Sequence, residues 1–438
     1  MKVPPGRRAR LVAFQHRDFR LLWSGMLVSI IGSQMQFIAV NWHVYELLEG
    51  KTFTLDLLGH ATRVDGQALG LGVVGLVRFV PIVGLALLGG ILADTRDRRR
   101  MMIGAQVASC TFALTLAAIT LTGHASLPAL YLLTGALAAA AAFDNPARQS
   151  LVPNLVPRAH LANAVSLNTL VFQIASIVGP AIAGVLVARY NVGLVYGVNA
   201  LSFLATLLAL LAMDYRGGPA DIGVRGLGSL MEGLRFVRRT PIIWSTMLLD
   251  FIATFFSSAR TMLPIVAGQV LGVGPAGYGF LATAQSVGAV LAGVAVALRH
   301  EIHRQGMVLL ASVAAYGVAT ALFGLSTSFA LSYILFALTG AADTVSTVIR
   351  GTIRQMRTPD RLRGRMTSVN MVFFMGGPQL GEMEAGLVAA LVGAPLAIFT
   401  GGLATVLATA WVAWKFPRLW HFTHEPELEL PTPEGQPA

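Results

Sequence analysis

Residues 89–100 have the sequence Gly-Gly-Ile-Leu-Ala-Asp-Thr-Arg-Asp-Arg-Arg-Arg, in which an apolar run of helix length ends at a carboxylate and a cluster of arginines. Short loops rich in Lys and Arg stay on the cytoplasmic side of a membrane. Small residues such as Gly89 and Gly90 allow a neighbouring helix to approach closely. The stretch therefore predicts a transmembrane helical hairpin that turns in the cytosol.

The composition places the whole chain in the same class. Of its 438 residues, 55% are hydrophobic and 12% are charged, whereas soluble domains carry about 25% charged residues. Apolar runs of about 20 residues, each sufficient to cross a bilayer, recur along the chain. The net charge of +11 is typical of basic loops that orient a membrane protein, so it does not indicate a nucleic-acid partner. We predict an all-α polytopic membrane protein.

The apolar runs divide the chain into two halves. We predict a cytosolic N-terminal segment at 1–18, a six-helix half at 19–213, a cytosolic linker at 214–241, a second six-helix half at 242–416 and a cytosolic tail at 417–438. Most of the 32 Lys and Arg residues fall in the predicted cytosolic segments, which predicts a multi-pass protein of the cytoplasmic (inner) membrane with both termini in the cytosol. The amphipathic second part of the linker predicts an interfacial helix. The twelve predicted spans are 19–46, 67–93, 100–122, 127–145, 163–188, 193–213, 242–270, 277–298, 306–325, 329–349, 366–391 and 395–416.

An internal repeat supports the two halves. One constant offset places residues of the first half on identical residues of the second: Arg148 on Arg350, Ser166 on Ser368, Asn168 on Asn370, Gly179 on Gly381 and Gly184 on Gly386. Two such copies in parallel orientation pack about an axis along the membrane normal and hold a binding site between them near the midplane. The repeat therefore predicts the architecture of a carrier.

Residues 90–99 resemble the loop between the second and third helices of the major facilitator superfamily, with departures at Thr95, where a base is usual, and Asp97, where Gly is usual. Together with residues 144–149 and 153–157, they resemble the enterobactin-exporter-like and macrolide-efflux-like branch. The resemblance implies the fold of that superfamily, with twelve transmembrane helices in two pseudo-symmetric halves. It further implies a conformational-switch loop, in which Asp94 and Arg98 latch the halves on the cytosolic side. This loop contains Gly90, Asp94, Arg98 and Arg99.

Ionisable residues inside predicted spans are functional candidates, because burying a charge in a membrane is costly. Asp250, Glu382 and Glu384 are the candidates for proton coupling, although Asp250 could also merely bond neighbouring backbone. Arg78 could pair with Glu382 or Glu384 across the halves when the outer side is closed. Alternatively Arg78 reaches lipid headgroups and the glutamates meet water at the helix end. We favour this second interpretation.

Further polar residues fall into two groups. Asp144 and Arg148, and likewise Asp343 and Arg350, are candidates for fixing cytosolic loops, since Pro146 is expected to interrupt a helix between the first two. Uncharged polar or aromatic residues that could line a cavity, or make contacts between helices, are Gln34, Asn41, Trp42 and Gln285.

The pattern as a whole favours a secondary active transporter. We expect it to work by alternating access and to export small amphipathic compounds, such as drugs or siderophores, in exchange for protons. An uptake carrier for a metabolite and a non-transporting membrane sensor or scaffold stay open as alternatives. With one cysteine and no nucleophile–base pairing, we expect no enzyme activity, cofactor or metal. The expected partners are the lipid bilayer, a small-molecule substrate and protons, without nucleic acid, and we expect a monomer.

Overall fold

A computed structural model of the chain describes residues 9–57, 60–215, 227–299, 302–359 and 362–423. Nearly all of these residues are helical. The first half contains α1 (Arg17–Leu47), a short antiparallel hairpin of β1 (Thr52–Leu57) and β2 (His60–Asp65), α2 (Gly66–Thr95), α3 (Arg98–Leu121), α4 (Leu127–Leu151), α5 (Leu161–Arg189) and α6 (Val192–Ala212).

The second half follows a linker helix, α7 (Leu227–Arg239). It contains α8 (Pro241–Phe256), α9 (Leu263–Ile265), α10 (Gly274–Leu298), α11 (Gln305–Leu325), α12 (Phe329–Arg357), α13 (Arg363–Val392), α14 (Ala394–Lys415) and the short α15 (Pro417–Trp420). The predicted amphipathic helix of the linker is confirmed as α7, which packs Val237 against Ile243, Met247, Met366 and Val369.

In the described part of the chain, eleven helical stretches are long and apolar enough to cross a membrane. The remaining predicted span, 366–391, coincides with α13, a 30-residue helix. At 1.5 Å per residue α13 is about 45 Å long, which is ample for a crossing. The predicted class, an all-α polytopic membrane protein, is confirmed.

The halves meet through equivalent helices. Within the first half, α1 packs on α5 and α6, and α2 packs on α4. Within the second half, α10 and α11 pack on α12, and α11 also packs on α14. Between the halves, α2 packs on α13 and α5 packs on α10. These two seams are related by the sequence repeat, because α2 corresponds to α10 and α5 to α13. We call the end of the bundle that carries the β-hairpin the hairpin end, and the opposite end, which carries α7, the linker end.

The segment between α1 and α2 is a β-hairpin, where the sequence predicted a loop. Its strands pair in register from Thr52 with Asp65 to Leu57 with His60. Asp65 also begins α2, since its carboxylate accepts a hydrogen bond from the amide of Ala68 at 2.8 Å. The alternation of Thr, Phe and Leu in β1 is the signal for a strand that the loop prediction missed.

The predicted seventh span, 242–270, is interrupted. After α8 ends at Phe256, the chain forms a 3-10 turn at Ala259–Met262, the short α9, and a π-helical turn at Val266–Val270. Pro264 lies inside α9 and has no amide hydrogen to donate, so a regular helix is not maintained here. The interruption brings Arg260 into the interior of the bundle, as described below.

The prediction that α4 stops near Pro146 is wrong. The helix continues through Pro146 to Leu151. Side-chain contacts span the proline, because Arg148 pairs with Asp144 on its other side and the Ser150 hydroxyl donates to the Pro146 carbonyl at 2.6 Å. Likewise α12 continues to Arg357, beyond the predicted end at 349.

Candidate functional site

A cavity of about 380 Å³ lies within the first half. It is lined by α1 to α6. Apolar side chains such as Ile82, Leu137 and Phe203 form much of its wall, and the polar groups include Gln34 and Arg78. Sites for small organic molecules combine apolar walls with polar groups that fix the orientation of the ligand, and this cavity has an apolar wall together with many polar groups.

Glycines bring the halves into contact at the hairpin end. A Cβ added to Gly72 of α2 would lie 2.9 Å from the Cα of Gly386 in α13, and one on Gly184 of α5 would lie 2.7 Å from the Cα of Gly279 in α10. Helix backbones at such short distances leave no room between them for a side chain or for a solute. Nearer the linker end, by contrast, no described atom lies within 4 Å of the Cβ position of Gly84 in α2. The halves are therefore closed against each other at the hairpin end.

Polar and aromatic contacts reinforce this closure. Gln269, just after α9, donates a hydrogen bond to Gln67 of α2 at 2.6 Å, and Gln67 in turn bonds the carbonyl of Tyr45 at 2.8 Å. The ring of Trp42 in α1 stacks on Tyr278 of α10 with centroids 5.7 Å apart, and its indole donates to Glu46 at 2.6 Å. Trp42 thus contributes to the seam between the halves rather than to the cavity wall.

Of the other predicted cavity residues, some lie on the cavity wall and some lie in contacts between helices. Gln34 lies on the cavity wall and donates to Ser176 of α5 at 2.8 Å. Arg78 also lies on the wall. Asn41 is buried within α1 outside the wall, and the backbone of Gln285 lies against Gly340 where α10 crosses α12.

Arg78 is in the interior and meets a charged group of the second half. Its guanidinium carbon lies 4.3 Å from the ring centroid of Phe37, and that of Arg260 lies 4.4 Å from the same centroid. Glu382 of α13 interacts electrostatically with both arginines, and its carboxylate lies against Gly75, one turn from Arg78. The favoured interpretation, in which Arg78 reaches lipid headgroups, is therefore wrong. Glu384 is partly buried on the same helix, two residues beyond Glu382.

A second charged cluster lies in the second half. Arg350 of α12 pairs with Asp250 of α8 at 2.6 Å and with Asp343 at 3.6 Å, and it donates to Thr347 at 2.8 Å. Arg350 and Asp250 are buried, whereas the Asp343 side chain is 48% exposed. Asp343 and Arg350 therefore belong to a membrane-spanning helix, and the prediction that they fix a loop is wrong. Asp250 is engaged by a side chain and not merely by neighbouring backbone.

The equivalent position of the first half carries a related cluster. Arg148 of α4 pairs with Asp144 at 3.7 Å and bonds Asn145. Gln106 of α3 donates to Asp144 at 3.0 Å, and the Arg148 guanidinium lies over the Phe172 ring at 5.1 Å. All five side chains line the cavity. Asp144 and Arg148 accordingly lie on the cavity wall, not in the loop where the sequence placed them.

Comparisons with known proteins agree with this architecture. The model of a family described as transmembrane secretion effector, within the major facilitator superfamily, matches residues 9–435. The chain belongs to this family. The enterobactin exporter EntS of Escherichia coli (strain K12) is 26% identical over 411 residues, which cover 94% of each chain. The EntS of Shigella boydii serotype 4 is 27% identical over 376 residues, or 86% of each chain.

Solved structures show the same fold at low sequence identity. A bacterial homologue of the human lysosomal transporter Spinster superimposes with a TM-score of 0.68 at 15% identity, over 95% of this chain and 98% of that one. The nucleoside transporter NupG superimposes with a TM-score of 0.69 at 10% identity, over 92% and 100% of the two chains. The protein is a multi-pass membrane transporter of the major facilitator superfamily.

The loop between α2 and α3 of this transporter is bound to its own half. Arg98 donates to the carbonyl of Ser150 at 3.2 Å. Arg99 donates through its three guanidinium nitrogens to the last carbonyls of α6 and to Tyr215, at 2.7–3.2 Å. Asp97 caps α3 by accepting the amides of Arg99 and Arg100, which explains an acid at this position. The predicted roles of Gly90 and the Asp94 side chain lie outside the described parts of the chain.

Sequence reasoning missed Arg260 as a member of the transporter's interior. Its signal was available, since an arginine inside the predicted span 242–270 is as unusual as Arg78 in α2. The partnership of Arg350 with Asp250 was also missed, because seven-residue spacing within α12 pointed to Asp343 alone.

Proposed function

We propose that this transporter exports small amphipathic compounds from the cytosol, in exchange for protons, by alternating access of its two halves. The observation that carries the proposal is the one-sided closure. The halves are in contact at the hairpin end, through Gly72 with Gly386 and Gly184 with Gly279, whereas nearer the linker end no described atom lies within 4 Å of the Cβ position of Gly84. A transporter in this state receives its substrate from the linker end.

The arginines support a cytosolic position for the linker end. This end carries Arg96 between α2 and α3 and Arg98, Arg99 and Arg100 in the first turn of α3, and short basic segments between spans stay on the cytoplasmic side. We therefore propose that both termini lie in the cytosol and that the protein resides in the cytoplasmic membrane. Relatives that are named enterobactin exporters support export as the direction, and suggest siderophores alongside amphipathic drugs as substrates.

We assign proton coupling to acids that lie within the membrane-spanning helices. Asp250 is bound to Arg350 inside the second half, and the half-exposed Asp343 shares the same guanidinium. A proton that neutralises either acid changes the charge balance around Arg350, and that change could alter how α8 and α12 pack. Glu382 and Glu384 on α13 are the other candidates, since Glu382 carries charge across the seam to Arg78.

The test uses purified protein in liposomes that contain a pH-sensitive dye. A proton gradient is imposed, and amphipathic drugs and siderophores are added one at a time. We expect at least one compound to cause proton movement that wild-type protein supports and Asp250→Asn abolishes. The matched control is Asp56→Asn, which removes an exposed acid in the hairpin and should leave the proton movement intact.

Three other results would each count against part of the proposal. Proton movement that survives Asp250→Asn but is lost in Glu382→Gln or Glu384→Gln would move the coupling to α13. Transport of a compound without proton movement would refute antiport. Binding of compounds without flux in either direction would favour the membrane sensor.

A further inference from the structure

Two arginines contact the same aromatic ring, that of Phe37 on the cavity wall. Arg78 comes from α2 and Arg260 from the interruption that follows α8, so the two cations belong to different halves. Their guanidinium carbons lie 4.3 and 4.4 Å from the centroid of Phe37. Cation–π contacts of this length hold a guanidinium in place while its N–H groups stay available for other partners.

The charges in this cluster do not balance. Of the acids in the described ranges, Glu382 interacts electrostatically with both arginines, and two guanidiniums therefore share one carboxylate. In addition, Nη1 of Arg78 is buried without a hydrogen-bond acceptor among the described residues. A buried cationic donor without a partner is costly. The cluster thus has both the positive charge and the free donor that an anion would require.

The cluster is open to the cavity. Arg78 and Phe37 belong to the cavity wall, as do the nearby apolar side chains of Val40 and Ile82. A molecule in the cavity could therefore place a charged group beside Arg78 while its apolar body contacts the remaining wall. Guanidinium groups bind carboxylates well because their planar donors match the two oxygens.

We propose that Arg78 and Arg260 form a subsite for a carboxylate or similar anionic group on the transported molecule. This inference rests on the proposed function, because it takes the cavity to be the substrate site. Glu382 offsets one of the two positive charges when the subsite is empty, and it competes with the incoming anion for the arginines. The substrates are then amphipathic anions, with an apolar body and one acidic group.

Competition with Glu382 also links binding to the seam. The Glu382 carboxylate lies against Gly75 of α2, close to the contact of Gly72 with Gly386. An anion that takes over the two arginines removes an attraction between α13 and α2. Arrival of substrate therefore weakens the closure at the hairpin end, which is the change that release to the outer side requires.

The test measures binding of benzoate to the detergent-purified transporter, by its effect on the unfolding midpoint at constant ionic strength. Benzamide, which has the same ring and no charge, is the matched ligand. We expect benzoate to raise the midpoint and benzamide to leave it unchanged. Arg78→Gln and Arg260→Gln should each weaken benzoate binding about tenfold, as expected when a charge-assisted hydrogen bond is lost. Arg189→Gln, at the exposed end of α5, should have no effect.

Glu382→Gln separates competition from a structural effect. If Glu382 competes with the anion, this variant binds benzoate more tightly than wild-type protein does. Equal stabilisation by benzoate and benzamide, equal benzoate binding in wild type and the double variant of Arg78 and Arg260, or weaker binding in Glu382→Gln would each overturn the subsite. Flux of neutral compounds without benzoate binding would overturn the subsite and leave export standing. Benzoate binding as expected, without flux of any compound, would support the subsite and refute the proposed export.

Discussion

Single side chains in the first turn of α3 have separable tasks. Arg99 occupies three carbonyls at the end of α6 with one guanidinium. The neighbouring Arg100 is exposed and contacts only Asp97 in the described structure, at 3.8 Å. A helix end has unpaired carbonyls that a side chain with several donors can satisfy. Arg99 is therefore a stabilising residue of the first half in this conformation.

This assignment predicts different results for two adjacent Arg→Lys changes. Arg99→Lys should lower the free energy of unfolding by about 1–2 kcal/mol, because an ammonium cannot reach all three carbonyls in the geometry of a guanidinium. Arg100→Lys is the control and should change stability little, since exposed ion pairs contribute little. Thermal unfolding in detergent measures both. Equal losses in the two variants would mean that the α6 contacts do not matter.

The two acids around Arg350 should also differ in their contribution to the free energy of unfolding. Removing Asp250 leaves a buried guanidinium without its shorter ion pair, so Asp250→Asn should cost about 3 kcal/mol or more of unfolding free energy. Asp343 lies 3.6 Å from the same guanidinium, against 2.6 Å for Asp250, and Asp343→Asn should therefore cost less, because the attraction between charges falls with distance. Denaturant titrations of both variants give the comparison. A larger loss for Asp343→Asn would show that the exposed acid, and not Asp250, holds Arg350.

The sequence indicated the charged residues better than it indicated their partners. Asp250, Arg78 and Glu382 were identifiable because charges inside apolar spans are rare, and pairing of Arg78 with Glu382 was one of the two interpretations, although not the favoured one. The partner of Asp250 was not predicted, because Arg350 lies a hundred residues away and only tertiary packing brings it near. By contrast, the contact of Asp343 with Arg350 was predictable, because both residues lie on one helix, seven positions apart.

At the level of elements, glycines determine where helices of the two halves touch. Gly72 and Gly84 lie on the same helix, α2, but differ in surroundings. Gly72 faces the backbone of Gly386, whereas no described atom lies within 4 Å of the Cβ position of Gly84. A side chain is therefore excluded at one position and accommodated at the other.

We predict that Gly72→Leu favours the state that is open at the hairpin end. The added side chain would overlap α13, and the halves can relieve the overlap by separating there. Gly84→Leu should leave the equilibrium unchanged. Spin labels on the hairpin ends of α2 and α13 measure the separation as a distance distribution. If both variants keep the wild-type distances, the glycine contact does not control closure.

Most helices were predictable because their apolar runs match the thickness of a bilayer. The helix ends that were predicted wrongly had physical causes that a hydropathy pattern does not contain. Pro264 and the π-helical turn interrupt the seventh span although its composition stays apolar. Conversely, Pro146 suggested an end to α4, yet the ion pair of Asp144 and Arg148 accompanies a continuous helix. A proline destabilises a helix locally, and tertiary contacts decide whether the helix continues past it.

At the scale of the whole molecule, the repeat predicted two equivalent halves but not how they are tilted. The same pairs of helices, α2 with α13 and α5 with α10, form the seams. Which end of the seams is closed depends on the contacts that the halves make at each end. Gln67 and Gln269 are an example, because their hydrogen bond joins the halves at the hairpin end.

This contact allows the alternating-access proposal to be tested on the intact transporter. Cysteines replace Gln67 and Gln269 in a Cys110→Ser background, since Cys110 is the one natural cysteine. A short, reducible linker with two thiol-reactive groups then joins the halves at the hairpin end. We expect the linked protein to bind substrate and to lose flux, because the hairpin end can no longer open. Reduction of the linker should restore flux.

A link within one half provides the control. Arg17 at the start of α1 and Asp214 after α6 form an exposed ion pair in the first half, and cysteines at these positions accept the same linker. If the halves move as rigid bodies, this link leaves flux intact while the link from Gln67 to Gln269 abolishes it. Loss of flux with both links would indicate that α1 and α6 move against each other during transport. Flux that persists with the halves joined at the hairpin end would refute rocking between two closed ends, because the substrate would then cross without the separation that alternating access requires.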